Sequence, residues 1–250
     1  METQRNGAMQ QPSPPVASSS VDFHAHRNDE VWAWAIAVAV AAALRRDLQQ
    51  HHRARLLVSG GKTPAPVFRA LSQAPLDWAR VDIALVDERW LRPDDSDSNA
   101  HLVREQLLRG HAAAARFQTL TRPGRSIEEA VSDANLHARQ PPGIVLLGMG
   151  DDGHTASLFP HMRDLDRTLE SRNAYVAIDA SGCPGASPWQ RRISLTPAGL
   201  MPAHTRLLLI RGQRKRAVFE HALDGIDPRE LPVRIAFTTP GARLQVHWCP

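Results

Sequence analysis

The chain has 250 residues, 42% of them hydrophobic and 22% charged, which supports one large core or two small ones and excludes disorder over the whole length. Thirty basic residues against 26 acidic leave a formal charge of +4, and a pI of about 9.8 invites a nucleic-acid reading. All but two of the basic residues are Arg, the exceptions being Lys62 and Lys215; guanidinium does not titrate in the usable range, so this bias lifts the pI without adding net charge, and no nucleic-acid partner is expected.

Residues 1–20 are polar and rich in Pro, Ser and Gln, a composition that cannot bury enough surface to order itself. A flexible tail over 1–20 and one α/β domain over 21–250 are therefore expected. The apolar run at 31–44 is too short for a membrane span and starts too late for a secretory signal. It reads as a buried helix capped by Asn28 or Asp29, with Asp29 and Glu30 at the favourable end of its dipole. Cys183 and Cys249 lie far apart and outside any CxxC pair, so neither a disulfide scaffold nor a thiolate zinc site is expected, and a cytoplasmic location follows by default.

From residue 21 onward, short aliphatic runs alternate with longer segments of helical spacing. Strands are predicted at 55–58, 81–86, 143–147, 175–178, 192–195, 206–210, 234–237 and 244–248, and helices at 99–109, 126–139 and 213–223. Strands separated by helices predict an α/β fold of one domain, with a mostly parallel sheet flanked by helices on both faces in a Rossmann-like three-layer arrangement. Ligands bind such sheets at the carboxyl ends of the strands, so the connections leaving each strand are the places to find a site.

After the strand at 55–58 come Ser59-Gly60-Gly61-Lys62-Thr63-Pro64 and a short helical stretch. Paired glycines admit a ligand close to the backbone and a helix start offers free amides to an anion. An ordinary strand-to-helix turn would use the same residues. A nucleotide P-loop is excluded, because Leu56 stands where its first Gly belongs. After 81–86, Asp87-Glu88-Arg89-Trp90 suit either the mouth of a site or a solvated loop, and the segment alone favours the loop.

After 143–147 the chain reads Gly148-Met149-Gly150-Asp151-Asp152-Gly153-His154. Its glycines fit the dinucleotide pattern GxGxxG, but two carboxylates would lie where pyrophosphate must approach, and Pro160 closes off the helix that should hold it. Asp, Asp and His in one turn suit proton transfer better. The other eleven histidines read as surface residues, and the absence of HExxH or comparable spacing argues against a metal site. Arg192, at a strand start, and Lys215, in a first helical turn, could neutralise a phosphate held by the glycine loop; each also reads as a surface cation.

Five stretches in order carry a resemblance: SGGKTP from Ser59, VDERWLRPDDSDSN from Val86, GMGDDGHTASLFP from Gly148, RISLTPAGLMPA from Arg192 and LIRGQRKRAVFEHAL from Leu209. Together they resemble the 6-phosphogluconolactonase family, of the glucosamine-6-phosphate deaminase/isomerase-like fold, over nearly everything after the N-terminal segment. The resemblance implies cofactor-free hydrolysis of 6-phospho-D-glucono-1,5-lactone in the oxidative pentose phosphate pathway; a monomer is the default expectation, and no membrane partner is expected. It implies that Gly60, Gly61, Thr63, Arg192 and Lys215 hold the phosphate, with Lys62 in support. His154 would be the general base and Asp152 its partner, while Asp87 and Arg89 would face the sugar ring or the phosphate. Amino-sugar phosphate deaminases and isomerases of the same fold carry a Glu five residues beyond the His, where this chain has Phe159. Sugar-phosphate-sensing regulators of similar fold need a DNA-binding helix-turn-helix, which residues 1–20 cannot supply.

Overall fold

The structure, a computed structural model, describes residues 20–250; the tail expected over 1–20 thus falls almost wholly outside the described residues. In chain order the elements are β1 (Val21–Ala25), α1 (Asp29–Gln50), β2 (Ala54–Val58), α2 (Ala65–Leu71), β3 (Val81–Leu85), β4 (Asp87–Arg89), α3 (Asn99–Gln106), β5 (Arg116–Gln118), α4 (Ile127–His137), β6 (Ile144–Gly148), α5 (Leu165–Leu169), β7 (Tyr175–Asp179), β8 (Arg191–Leu195), α6 (Pro197–Leu200), β9 (Thr205–Arg211), α7 (Gly212–Leu223), α8 (Ile235–Thr238) and β10 (Leu244–Cys249).

Seven strands form the main sheet in the order β1-β10-β9-β6-β2-β3-β5, every neighbouring pair parallel. The central strands β2 and β3 are buried at every position, which explains their continuous aliphatic character: a parallel sheet covered on both faces leaves no side of the strand in water. The remaining strands, β4, β8 and β7, make a separate antiparallel sheet. Residues 175–178 and 192–195 are strands as predicted, but they belong to this small sheet and not to the parallel one.

Local chemistry sets the helix boundaries. The Asn28 side chain accepts from Val31 N and opens α1, whose Trp32, Ile36, Val40 and Leu44 recur along the buried stripe. Helix α4 starts with a complete capping box, in which Ser126 and Glu129 satisfy each other's backbone N–H, two of the donors a helix start otherwise leaves open. Among the described residues no helix is long and apolar enough to cross a membrane.

Two readings need correction. Residues 234–237 are not a strand: Pro232–Arg234 is a 3-10 turn that runs directly into α8. Pro fixes a helical φ there, and Arg234 is buried with Nε donating to Ala222 O and Nη1 to Asp227 O, so the run packs against α7 instead of extending a sheet. Nor are all the remaining histidines on the surface. His247 on β10 is buried between His24 and His26, its ring centroid 4.8 and 5.2 Å from theirs, with His26 Nε2 3.0 Å from His247 Nδ1.

Burial, then the nearby His24 and His26, pushes the His247 pKa down to about 3. A lowered imidazole pKa favours the neutral form in the folded state, so this stabilisation is complete above the unfolded value near 6.5 and is lost as pH falls from there toward 3. Below pH 6.5 the melting temperature of the wild type should drop by about 3 °C per pH unit more than that of His247→Gln. Parallel pH profiles of the two proteins in differential scanning calorimetry would dismiss this account.

Candidate active site

The cleft lies at the carboxyl ends of the central strands, where successive connections open like the fingers of a hand. Ser59, Gly60, Gly61, Lys62 and Thr63 after β2, Asp87 and Arg89 of β4, Gly148 at the end of β6 with Gly150 and His154 beyond it, Arg192 of β8 and Lys215 of α7 line one cavity of about 220 Å³. The residues expected from the sequence to form the site thus lie together, with Asp152 directly behind His154 and lining the adjoining hollow.

The glycine loop is tied to the sheet by Ser59, whose Oγ donates to Leu146 O at 3.0 Å and accepts from Gly148 N at 3.2 Å. This joins the ends of β2 and β6. Beyond it, the N–H groups of Gly60, Gly61, Lys62 and Thr63 meet no backbone acceptor among the described residues, leaving donors for an anion. Gly60 owes its identity to close approach, since a Cβ there would overlap the Asn99 carboxamide.

His154 and Asp152 share the turn after β6. Asp152 Oδ1 lies 2.6 Å from His154 Nδ1 and also accepts from His154 N at 3.1 Å. Burial alone would raise the carboxyl pKa of Asp152, but the hydrogen bond from His154 and its charge hold it below the ordinary value. An ionised Asp152 fixes a proton on Nδ1 and leaves the Nε2 lone pair as the reactive end. Gly150 is again a matter of room, because a Cβ there would strike the His154 ring. The Phe159 ring packs on His154 with centroids 4.5 Å apart, and the Arg192 guanidinium covers the same ring at 5.2 Å.

Asp87 and Glu88 are buried, contrary to the solvated loop that the local sequence favours. Pairing of β4 with β8 draws these charges inward, and each has partners there. Asp87 Oδ2 accepts from Ser157 Oγ at 2.6 Å and lies 4.0 Å from Arg192 Nη1. Glu88 accepts from the backbone N–H of Arg89 at 2.9 Å, and of Asn99 and Ala100 at 2.8 Å, clasping the start of α3. Burial pushes its pKa up to about 7 against those three donors. Asn99 Nδ2 donates to Asp87 O at 2.8 Å.

Asn99, Glu88 and Ser157 act through partners 11 to 70 residues away, and no local pattern marks them. The acid–amide pair Asp87/Asn99, inside the stretch that starts at Val86, is the one available hint. The cations differ in setting: Lys62 is exposed, Arg89 half-buried and Arg192 buried. Burial lowers the Lys215 pKa, an effect opposed by the nearby charges of Asp151 and Asp152. Among the described residues no group of three or more His, Cys, Asp or Glu is placed to hold a metal ion.

A turn holding a carboxylate–imidazole pair beside a loop of free amides and several cations can move a proton next to a bound anion. Comparison with known proteins gives that arrangement a lineage. The family described as glucosamine-6-phosphate isomerases/6-phosphogluconolactonase matches residues 27–248. The chain belongs to this family. A 6-phosphogluconolactonase of Xylella fastidiosa (strain Temecula1) is 51% identical over 237 residues, covering 94% of this chain and 99% of its own. Another, from Pseudomonas aeruginosa, is 43% identical over 216 residues, covering 83% of this chain and 86% of its own. The crystal structure of a 6-phosphogluconolactonase from Shewanella baltica matches with a TM-score of 0.85 at 30% identity, covering 94% of this chain and 99% of the other. The seven-stranded α/β arrangement seen here matches the fold of that structure, and in this chain the glycine loop and the Asp152-Gly153-His154 turn meet at one end of the sheet.

Proposed function

We propose that this chain hydrolyses 6-phospho-D-glucono-1,5-lactone to 6-phospho-D-gluconate, the lactonase step of the oxidative pentose phosphate pathway. The observation that carries the reading is the 2.6 Å Asp152–His154 pair opening into the same cleft as the glycine loop and Lys215. His154 Nε2 takes a proton from water as the oxygen attacks the lactone carbonyl, and Asp152 stabilises the imidazolium that forms. The tetrahedral oxyanion collapses, the bond from the carbonyl carbon to the ring oxygen breaks, and the imidazolium returns its proton to that oxygen. Backbone amides and cations of the cleft stabilise the oxyanion. A lactone needs no nucleophilic Ser or Cys, since water can attack it directly.

The phosphate rests on the amides of Gly60, Gly61 and Thr63 and on Arg192 and Lys215, with Lys62 at the exposed rim. Asp87 and Arg89 face the sugar ring or the phosphate. Anchoring at the far end of the substrate positions its reacting carbonyl. A monomer working in the cytoplasm without a cofactor completes the proposal.

Amino-sugar phosphate isomerisation is the rival within the family. It requires a carboxylate five residues beyond the His to help open the sugar ring, and here Phe159 fills that place, fully buried against the His154 ring. The identity to lactonases supports the same choice.

With the lactone generated in the assay by glucose-6-phosphate dehydrogenase, the purified protein should accelerate its disappearance. Unchanged decay at micromolar protein rejects the function. Lys215→Ala should raise KM for the phosphorylated lactone by about 10-fold or more, the loss of one charge-assisted contact, with a smaller effect on kcat; an unaltered KM would remove Lys215 from the phosphate site.

A further inference from the structure

Two surface loops meet beside the arginine wall of the cleft. One connects β4 to α3, the other precedes β8, and a single side-chain contact between them is the hydrogen bond from Trp189 Nε1 to Asp97 Oδ2 at 3.0 Å. At each end of that bond a main-chain carbonyl holds one of the cleft arginines. Arg192 Nε donates to Trp189 O at 2.8 Å, and Arg89 Nη1 donates to Asp97 O at 2.5 Å. An unbroken chain of contacts thus runs Arg192, Trp189, Asp97, Arg89.

The two guanidinium groups need such restraint. They face each other across the β4–β8 pairing; burial lowers the Arg192 pKa, the charge of Asp87 at 4.0 Å opposes that, and the charge of Arg89 adds a smaller push in the same direction as burial. Arg192 has a second anchor, with Nη2 on Ala186 O at 3.0 Å, in the same loop as Trp189. Arg89 has less: its buried Nε meets no partner among the described residues. Arg192 is buried, so Arg89 is the freer of the two: without the Asp97 carbonyl it would move toward water, and a dianionic ligand would have to bring it back at an entropic cost.

We propose that Trp189 and Asp97 form a clasp between these loops that fixes the spacing of Arg89 and Arg192, and that this pair of positioning residues sets the preference for a phosphorylated over an unphosphorylated lactone. The proposal rests on the lactonase reading above. Neither side chain touches the substrate; each acts through the carbonyl that it holds in place.

The test compares Trp189→Phe, Asp97→Ala, the double variant and Asp97→Asn on 6-phosphogluconolactone and on glucono-1,5-lactone, with calorimetric titration of 6-phosphogluconate alongside. Trp189→Phe keeps the ring and removes only the N–H, while Asp97→Asn keeps an oxygen to accept it. Each of the first two should raise KM for the phosphorylated lactone and weaken 6-phosphogluconate by about 3- to 10-fold, the weight of one hydrogen bond, with kcat changed by less than about 2-fold. The double variant should be no worse than either single one, Asp97→Asn should recover most of the loss, and kcat/KM for the unphosphorylated lactone should stay as in the wild type. Additive losses, equal losses on both lactones, or no loss would overturn the clasp. A wild type that neither hydrolyses the phosphorylated lactone nor binds 6-phosphogluconate overturns the functional reading itself, whereas an active wild type with indifferent variants overturns the clasp alone.

Discussion

Replacing His154 by Ala is expected to lower kcat on 6-phosphogluconolactone by about 10²- to 10⁴-fold, the usual weight of a positioned general base, while 6-phosphogluconate still binds. The split follows from geometry. His154 meets the protein through Asp152 and the Phe159 face, whereas the residues proposed to hold the phosphate lie on other connections, so removing the imidazole should leave them in place. Asp152→Asn should act through the same ring at lower amplitude, because an amide no longer stabilises the imidazolium and can hold the wrong tautomer. Steady-state kinetics on the lactone and calorimetry with the product separate the two quantities. Retained turnover in His154→Ala would place the base elsewhere, with Asp87 the remaining carboxylate in the cleft.

Glu88→Ala should have the largest effect on folding. Its carboxylate is fully buried and accepts from three backbone N–H groups, so truncation leaves three donors without a partner and opens a cavity between β4 and α3. The expected loss is about 3–5 kcal/mol, or roughly 10 °C in melting temperature for a chain of this size. Activity should fall with it even where the variant is still folded, since Asp87 and Arg89 flank this anchor. Glu88→Gln, closer in shape, should fold while losing the titrating group, although its single acceptor oxygen replaces two that accept from backbone N–H groups. The folded-state pKa near 7 lies above the unfolded value, so the contribution of Glu88 to stability is fullest at acid pH and is lost as pH rises through 7, opposite in sign to that of His247. The difference in melting temperature between wild type and Glu88→Gln should therefore shift against the wild type from pH 5 to pH 8. A constant difference would mean that the carboxyl does not change protonation on folding.

Much of the catalytic end of the sheet is legible because its residues sit in short, compositionally odd turns at strand ends. Gly60-Gly61, the Asp152/His154 turn and Lys215 stand out against a background of aliphatics and Arg. The parts that escape local reading depend on tertiary pairing. Three charged residues in a row contradict every local preference for a strand, so β4 becomes visible only once β8 lies beside it. Glu88 and Ser157 have ordinary neighbours and gain their roles from contacts across the fold. The run Val233-Arg234-Ile235-Ala236-Phe237 looks like an edge strand by composition, yet Pro232 and the carbonyls that surround Arg234 turn it into helix. His247 escapes for a similar reason, since two other imidazoles provide its surroundings and both are more than 220 residues away in sequence.

The strand order has a consequence for how the molecule comes into being. Among the described strands β1 pairs only with β10, so it finds its place only after a strand more than 200 residues later in the sequence has been made. β6, at the centre, similarly waits for β9 before both its edges are covered. Loop-closure entropy of this kind makes assembly slow, and the unpaired edge of β6 stays open to wrong partners meanwhile. Lys215 comes after β9 and His154 after β6, so the residues that line the cleft come together only once most of the chain exists.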